Sequence, residues 1–125
     1  LSYTDFDVVS DTASFADGAL RLRAAVRNTG PRPGTAVVQL YARDEGASVV
    51  RPVRQLVDFA RVPVDVGATV TVELGAPLGR LAYTWPDGRR GVEAGEVTLL
   101  LGLSSADIRH TTTLTVPELV LTQYR

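Results

Sequence analysis

His110 is the only histidine among 125 residues, and a lone imidazole near serines and a carboxylate invites a test for nucleophilic chemistry. A Ser–His–Asp arrangement needs a base that touches the nucleophile and is itself oriented by an acid. Ser104, Ser105 and Asp107 are close along the chain, but adjacency along a strand or turn does not supply that geometry. A structural role is therefore expected for His110. The paired carboxylates Asp44-Glu45 and Glu93 with Glu96 are the next candidates. A retaining glycosidase needs two carboxyl groups about 5 Å apart across a sugar-sized cleft. Both pairs fall in turn-like stretches, where acidic side chains usually accept backbone N–H bonds and stay solvated. Calcium would need an oxygen-rich loop with a ligand pattern that this chain lacks.

Trp85, Tyr83 and Tyr41 are the residues able to stack on a sugar ring. A carbohydrate platform normally needs several exposed aromatics, and sandwich cores also use Trp and Tyr, so a core or domain-interface role is preferred. No glycine-rich phosphate loop occurs, neither GxGxxG nor GxxxxGK[ST]. No cofactor and no metal are expected. With no cysteine, a disulfide framework, a thiolate metal site and a cysteine nucleophile are excluded.

A net charge of −1 without a basic tract gives no field that would favour nucleic acid or an anionic membrane. No apolar run approaches the roughly 20 residues of a membrane-spanning helix, and no signal peptide is evident. All thirteen basic residues are arginine, a uniform bias that points to codon composition more than to function. The chain starts at Leu1 and lacks methionine, so it is expected to be one domain cut from a longer polypeptide.

The elements that must position these residues are strands. Ala19–Arg27 alternates, with Leu20, Leu22, Ala24 and Val26 on one face and Arg21, Arg23, Ala25 and Arg27 on the other, the pattern of an antiparallel sheet with one wet face. Val38, Leu40 and Ala42 share a face in the next strand, and Ala68–Leu74 alternates through Val70, Val72 and Leu74. Val97–Leu103 is a buried run, and Ile108–Val116 alternates weakly. Val53, Leu56 and Phe59 are spaced by three, which predicts a bulged or twisted strand bracketed by Pro52 and Pro63. Leu1–Val9 reads as a first strand, Asp11–Asp17 as a polar connection, Leu78–Thr84 as a short strand and Leu119–Tyr124 as a tail packed on a neighbouring domain. Turn signals recur at Asp17-Gly18, Asn28–Gly34, Asp65–Gly67, Pro86–Gly88 and Glu93–Glu96. About seven strands, turns every ten residues or so and no helix predict an all-β, immunoglobulin-like antiparallel sandwich.

The order of short motifs supports a narrower reading. Leu1-Ser2-Tyr3-Thr4 with Phe6, Val26-Arg27-Asn28-Thr29-Gly30, Val37–Tyr41 with Asp44, Ser48-Val49 with Arg51-Pro52-Val53-Arg54-Gln55-Leu56 and Phe59, Val92–Glu96, and Gly102 with Ser104–Arg109 run through nearly the whole chain. Together they resemble the fibronectin type III-like C-terminal domain of family 3 glycoside hydrolases, the β-glucosidases and β-xylosidases. Two departures stand out. Gly91 holds a place where such domains often carry tryptophan, and Ala94 replaces a usual proline.

The resemblance implies an accessory domain without a catalytic residue of its own, since the aspartate nucleophile and the acid/base carboxylate of such enzymes belong to other domains. Its partners would be the catalytic domains of the same chain, with carbohydrate met only through the parent enzyme. The contact is expected through Leu1, Tyr3 and Phe6 and through the loop bearing Asp44, Val49, Val50 and Arg51. The competing reading is a free-standing immunoglobulin-like module that binds polysaccharide or a protein partner. An enzyme in its own right would need a nucleophile–base pair that the sequence does not offer.

Overall fold

A computed structural model describes residues 5–46 and 53–122. Ten strands occur among the described residues: β1 Phe6–Ala16, β2 Ala19–Asn28, β3 Gly34–Asp44, β4 Gln55–Val64, β5 Thr69–Pro77, β6 Tyr83–Thr84, β7 Arg90–Val92, β8 Gly95–Ser104, β9 Asp107–Val116 and β10 Leu119–Thr122. Their alternation sorts them into layers. The sheet β1-β2-β5 and the sheet β4-β3-β8-β9 carry their apolar faces into a common core, and a small sheet β10-β7-β6 completes the chain. All pairings are antiparallel. Leu20, Val26, Val38, Leu40, Val97, Leu99 and Leu101 have no exposed surface, so the faces expected from β2, β3 and β8 are the buried ones. The fold is the expected antiparallel β-sandwich.

Three local expectations are corrected. Asp11–Asp17 is not a polar connection, because β1 runs on to Ala16 after a register shift between Val8 and Ser10. Asp11, Ala13 and Phe15 then point to the half-buried side, where Asp11 meets side chains of β9. Leu78–Leu81 is a 3-10 turn, with Leu78 and Leu81 both buried. Three-residue spacing puts both leucines on one side of such a turn, whereas a strand would have split them. Leu119–Thr122 does not lie apart as a tail; it pairs with β7 as Leu119↔Val92, Val120↔Gly91 and Thr122↔Arg90.

β4 is bulged, as its spacing implies. Tyr41 faces Leu56, while Val57 and Asp58 share the place opposite Leu40. The extra residue brings Leu56 and Phe59, three apart, to the same outward face, and Val57 turns inward at 6% exposure. Pro63 lies inside β4, opposite Thr35, where an edge strand tolerates a missing N–H.

Side chains stitch the two open seams of the sandwich. At one, Asp58 Oδ2 accepts from the Gly75 backbone N–H at 2.9 Å, and Arg80 donates to the Leu56 and Val57 carbonyls. At the other, Arg109 donates to Phe6 O at 3.1 Å, His110 Nε2 to Val8 O at 3.1 Å, and Thr112 Oγ1 to Asp11 Oδ2 at 3.4 Å.

Candidate functional site

The β1 bulge explains the position of His110. It turns the Val8 carbonyl and the Asp11 carboxylate toward β9, and His110 bridges them, its Nδ1 2.9 Å from Asp11 Oδ1. No serine is among its hydrogen-bond partners. Ser104 Oγ instead accepts from the Ala106 N–H, and Asp107 is held by Arg109 Nε at 2.7 Å. That guanidinium keeps the Asp107 carboxyl below the usual carboxylate range. Among the described residues the histidine joins two sheets and meets no nucleophile to activate.

The acidic candidates resolve in the same way. Asp44 Oδ1 accepts from the Gly46 N–H at 2.8 Å, the Asx-turn geometry expected of it. Glu45 is bound by Arg43 and by Thr98 Oγ1, whose hydroxyl is 2.9 Å away; these bonds lower its pKa, the Arg43 contact most. Asp44 is perturbed the other way. Burial raises its pKa, the Gly46 N–H partly offsets this, and the Glu93 and Glu45 charges add to the rise. Its Oδ2 is buried without a hydrogen-bond partner. Asp44 and Glu93 are therefore brought together, but across a packed turn with no sugar-sized cleft between them.

A pH prediction follows from Asp44. A carboxyl with a raised folded-state pKa binds its proton more tightly when folded, so it destabilises the fold as pH climbs through the ordinary carboxylate range up to its raised value. Asp44→Asn keeps an acceptor for Gly46 and places an N–H₂ toward Glu93. It is expected to melt about 2 °C higher than wild type at pH 7. The gain should vanish below the ordinary carboxylate range, and a variant that melts no higher at pH 7 refutes the reading.

The aromatic candidates do not form a platform. The Arg89 guanidinium lies 4.8 Å from the Trp85 ring centre, and Tyr83 meets Trp85 edge-on at 6.3 Å. The Trp85 turn is fixed by backbone bonds from Trp85 N to Arg89 O and from Gly88 N to Trp85 O. A hollow of about 320 Å³ beside Trp85 is walled by Pro86, Asp87, Arg89, Glu93 and Glu118. Tyr41 lies on the other sheet and is covered by Arg54, whose guanidinium sits 5.2 Å from its ring centre.

Arg54 also donates to the Ser105 carbonyl at 2.6 Å. Two of the motifs, the one bearing Arg54 and the one bearing Ser105, thus meet in space. Asn28, from a third motif, is fully buried and organises the β2–β3 turn. Of the residues expected to contact a neighbouring domain, Leu1, Tyr3, Val49, Val50 and Arg51 lie outside the described residues. Phe6 packs against the core and Asp44 caps its own turn.

One feature escaped the sequence. Val53, Leu56 and Phe59 are 65%, 42% and 58% exposed, and Leu56 and Phe59 stand with Tyr41 on the outward face of the β4-β3-β8-β9 sheet, Val53 lying just ahead of β4. Their spacing of three was the available signal, since it fits a bulge that keeps two apolar residues on one side.

Residues 36–105 match the family model of the fibronectin type III-like domain. A periplasmic β-glucosidase of Salmonella typhimurium is 33% identical over 88% of this chain, and a β-xylosidase of Formosa agariphila is 37% identical over 93%. The chain spans only 15% and 17% of those two relatives. Among solved structures, β-glucosidase 3B of Thermotoga neapolitana, in complex with α-D-glucose, superposes with a TM-score of 0.89 at 30% identity. That match covers 98% of this chain and 17% of the enzyme. A family 3 β-glucosidase of Bifidobacterium adolescentis gives 0.84 over the whole chain and 19% of its own length. Sandwich, motif order and relatives agree: this chain belongs to the fibronectin type III-like domain family, in the form carried by family 3 β-glucosidases and β-xylosidases.

Proposed function

We propose that this chain is the accessory, non-catalytic domain of a glycoside hydrolase that releases terminal β-glucosyl or β-xylosyl units, and that it packs on and stabilises the catalytic domains of the same polypeptide. One observation carries this reading. The chain is matched over 88–93% of its length by relatives of which it makes up 15–17%, so in them most of the polypeptide, with room for the chemistry, lies elsewhere. The described residues are consistent with that division. His110 is tied to a seam, Asp44 to its own turn, Glu45 to Arg43, and Tyr41 and Trp85 to neighbouring arginines. A domain of this kind acts by burying apolar surface and holding loops of its neighbour in place.

The test is to express the reading frame that encodes this chain, with and without residues 5–122, and to assay release of nitrophenol from nitrophenyl β-glucoside and β-xyloside. Activity in the full polypeptide, with loss of activity or of thermal stability in the truncated one, is expected. A frame that encodes no hydrolase overturns the reading. So does an isolated domain that retains polysaccharide on an affinity gel, which would favour a free-standing binding module.

A further inference from the structure

The two outer faces of the sandwich differ in a way that the fold alone does not require. The outer face of β1-β2-β5 carries Thr12, Ser14, Arg21, Arg23 and Glu73, with Arg23 paired to Glu73. All five are exposed and border an open hollow of about 700 Å³, so this face is polar and solvated. The outer face of β4-β3-β8-β9 presents Phe59 and Leu56 at 58% and 42% exposure, beside the half-buried Tyr41. Contiguous apolar side chains rimmed by polar ones mark an interaction surface. Nothing inside the domain needs these side chains, because Val57, Val62 and Val64 supply the core contacts of β4.

How β4 is held tells which part of it a partner can use. As an edge strand it would invite an added strand. That edge is already occupied, since Arg80 donates to the Leu56 and Val57 carbonyls and Asp58 is tied to Gly75 of β5. The side-chain face is what remains open. With the Asp58 carboxylate turned to the Gly75 N–H of β5, the charges left around it are arginines. Arg54 crosses Tyr41, Arg61 is exposed opposite Val37, and Arg80 flanks the strand. None of the three has a carboxylate within ion-pair distance among the described residues.

We infer that the Leu56–Phe59 face is the surface through which this domain docks on the remainder of its own polypeptide, and that the receiving surface is an apolar patch bordered by aspartate or glutamate. The inference rests on the accessory-domain reading and names the face and the partner's chemistry. The occupant is the same polypeptide because the matched relatives hold more than four-fifths of their length outside this domain. The arginine rim selects an acidic border over a basic one, since juxtaposed like charges would oppose contact. Leu56 and Phe59 are the apolar anchors, and Arg54 and Arg61 set the orientation.

The test uses two forms of the protein. In the isolated chain, Leu56→Thr with Phe59→Thr keeps good strand formers on an exposed face and should melt within about 2 °C of wild type. In the full polypeptide the same double variant should separate one cooperative melt into two transitions and shorten the half-life at the melting onset by about tenfold. Arg61→Glu should shorten it as well. Arg21→Glu, on the solvated face, should leave the full polypeptide unchanged. A double variant that melts as wild type in the full polypeptide overturns the inference, as does a split melt produced by Arg21→Glu alone. A wild-type isolated chain that sediments as a dimer, with the double variant monomeric, would assign the face to a second copy and also overturn it. Glycosidase activity of the wild-type polypeptide reports separately on the accessory-domain reading.

Discussion

Asn28→Asp is expected to unfold this domain more severely than any other conservative change at a polar position. The Asn28 side chain is fully buried. Its Nδ2 donates to the Arg32 carbonyl at 2.8 Å and the Val64 carbonyl at 2.9 Å, and its Oδ1 accepts from the Gly30 N–H at 2.9 Å. Its backbone is equally committed, donating to Ala68 O while its carbonyl accepts from Gly67. One residue thus ties the β2–β3 turn to the end of β4 and the β4–β5 turn. Replacing the amide by a carboxylate keeps the shape but turns two donors into acceptors facing two carbonyls. A buried, unpaired charge then adds to the lost bonds, so the cost should exceed about 4 kcal/mol at pH 7. Asn28→Ala leaves the same partners unsatisfied without the charge and should cost about 3 kcal/mol. Urea melts at pH 7 give the ranking. If Asn28→Asp is no worse than Asn28→Ala, the two carbonyl contacts do not hold the turn.

The same residue shows what a sequence can and cannot tell. Asn28-Thr29-Gly30 is legible as a turn because few side chains can accept the N–H two residues on. Its reach to Val64 is not legible, since that contact spans 36 positions. β2, β3 and β5 could be read from alternation because each sets a buried face against a more exposed one, and β8 from its unbroken apolar run, which is buried on both faces. The second half of β1 could not. Its inward positions hold Asp11 and Ala13 as well as Phe15, and Asp11 is tolerated there because Thr112 donates to it and His110 lies against it. A tertiary partner overrode a local pattern.

The proposed docking face was legible only in part, for a related reason. The residues Leu1, Tyr3, Val49, Val50 and Arg51 were singled out by their place along the chain and lie outside the described residues. Val53, Leu56 and Phe59 were recognised as apolar, but the direction of Leu56 and Phe59 depends on register with β3, which the bulge at Val57 sets. Apolar character is local information. The face it occupies is not.

Gly91→Ala should detach β10, and here a departure from the family pattern finds its physical cause. The resemblance leads one to expect tryptophan at this position. In this chain a Cβ on Gly91 would stand 2.0 Å from the Leu119 carbonyl oxygen and 3.1 Å from Val120 Cα. Both are backbone atoms of the paired strand, so no rotamer change relieves the overlap. β10 must move away and give up its pairing with Val92, Gly91 and Arg90. The cost should be about 3 kcal/mol or more, and the amides of β10 should lose their hydrogen-exchange protection while those of β2 and β3 keep theirs. Gly79→Ala is the matched control, because its Cβ would meet only side-chain tips, Leu121 at 3.3 Å and Leu119 at 3.9 Å, which can yield. That variant should change stability by less than about 1 kcal/mol. Equal loss of β10 protection in both variants would mean that crowding near Leu121, and not the close approach of two backbones at Gly91, governs this strand.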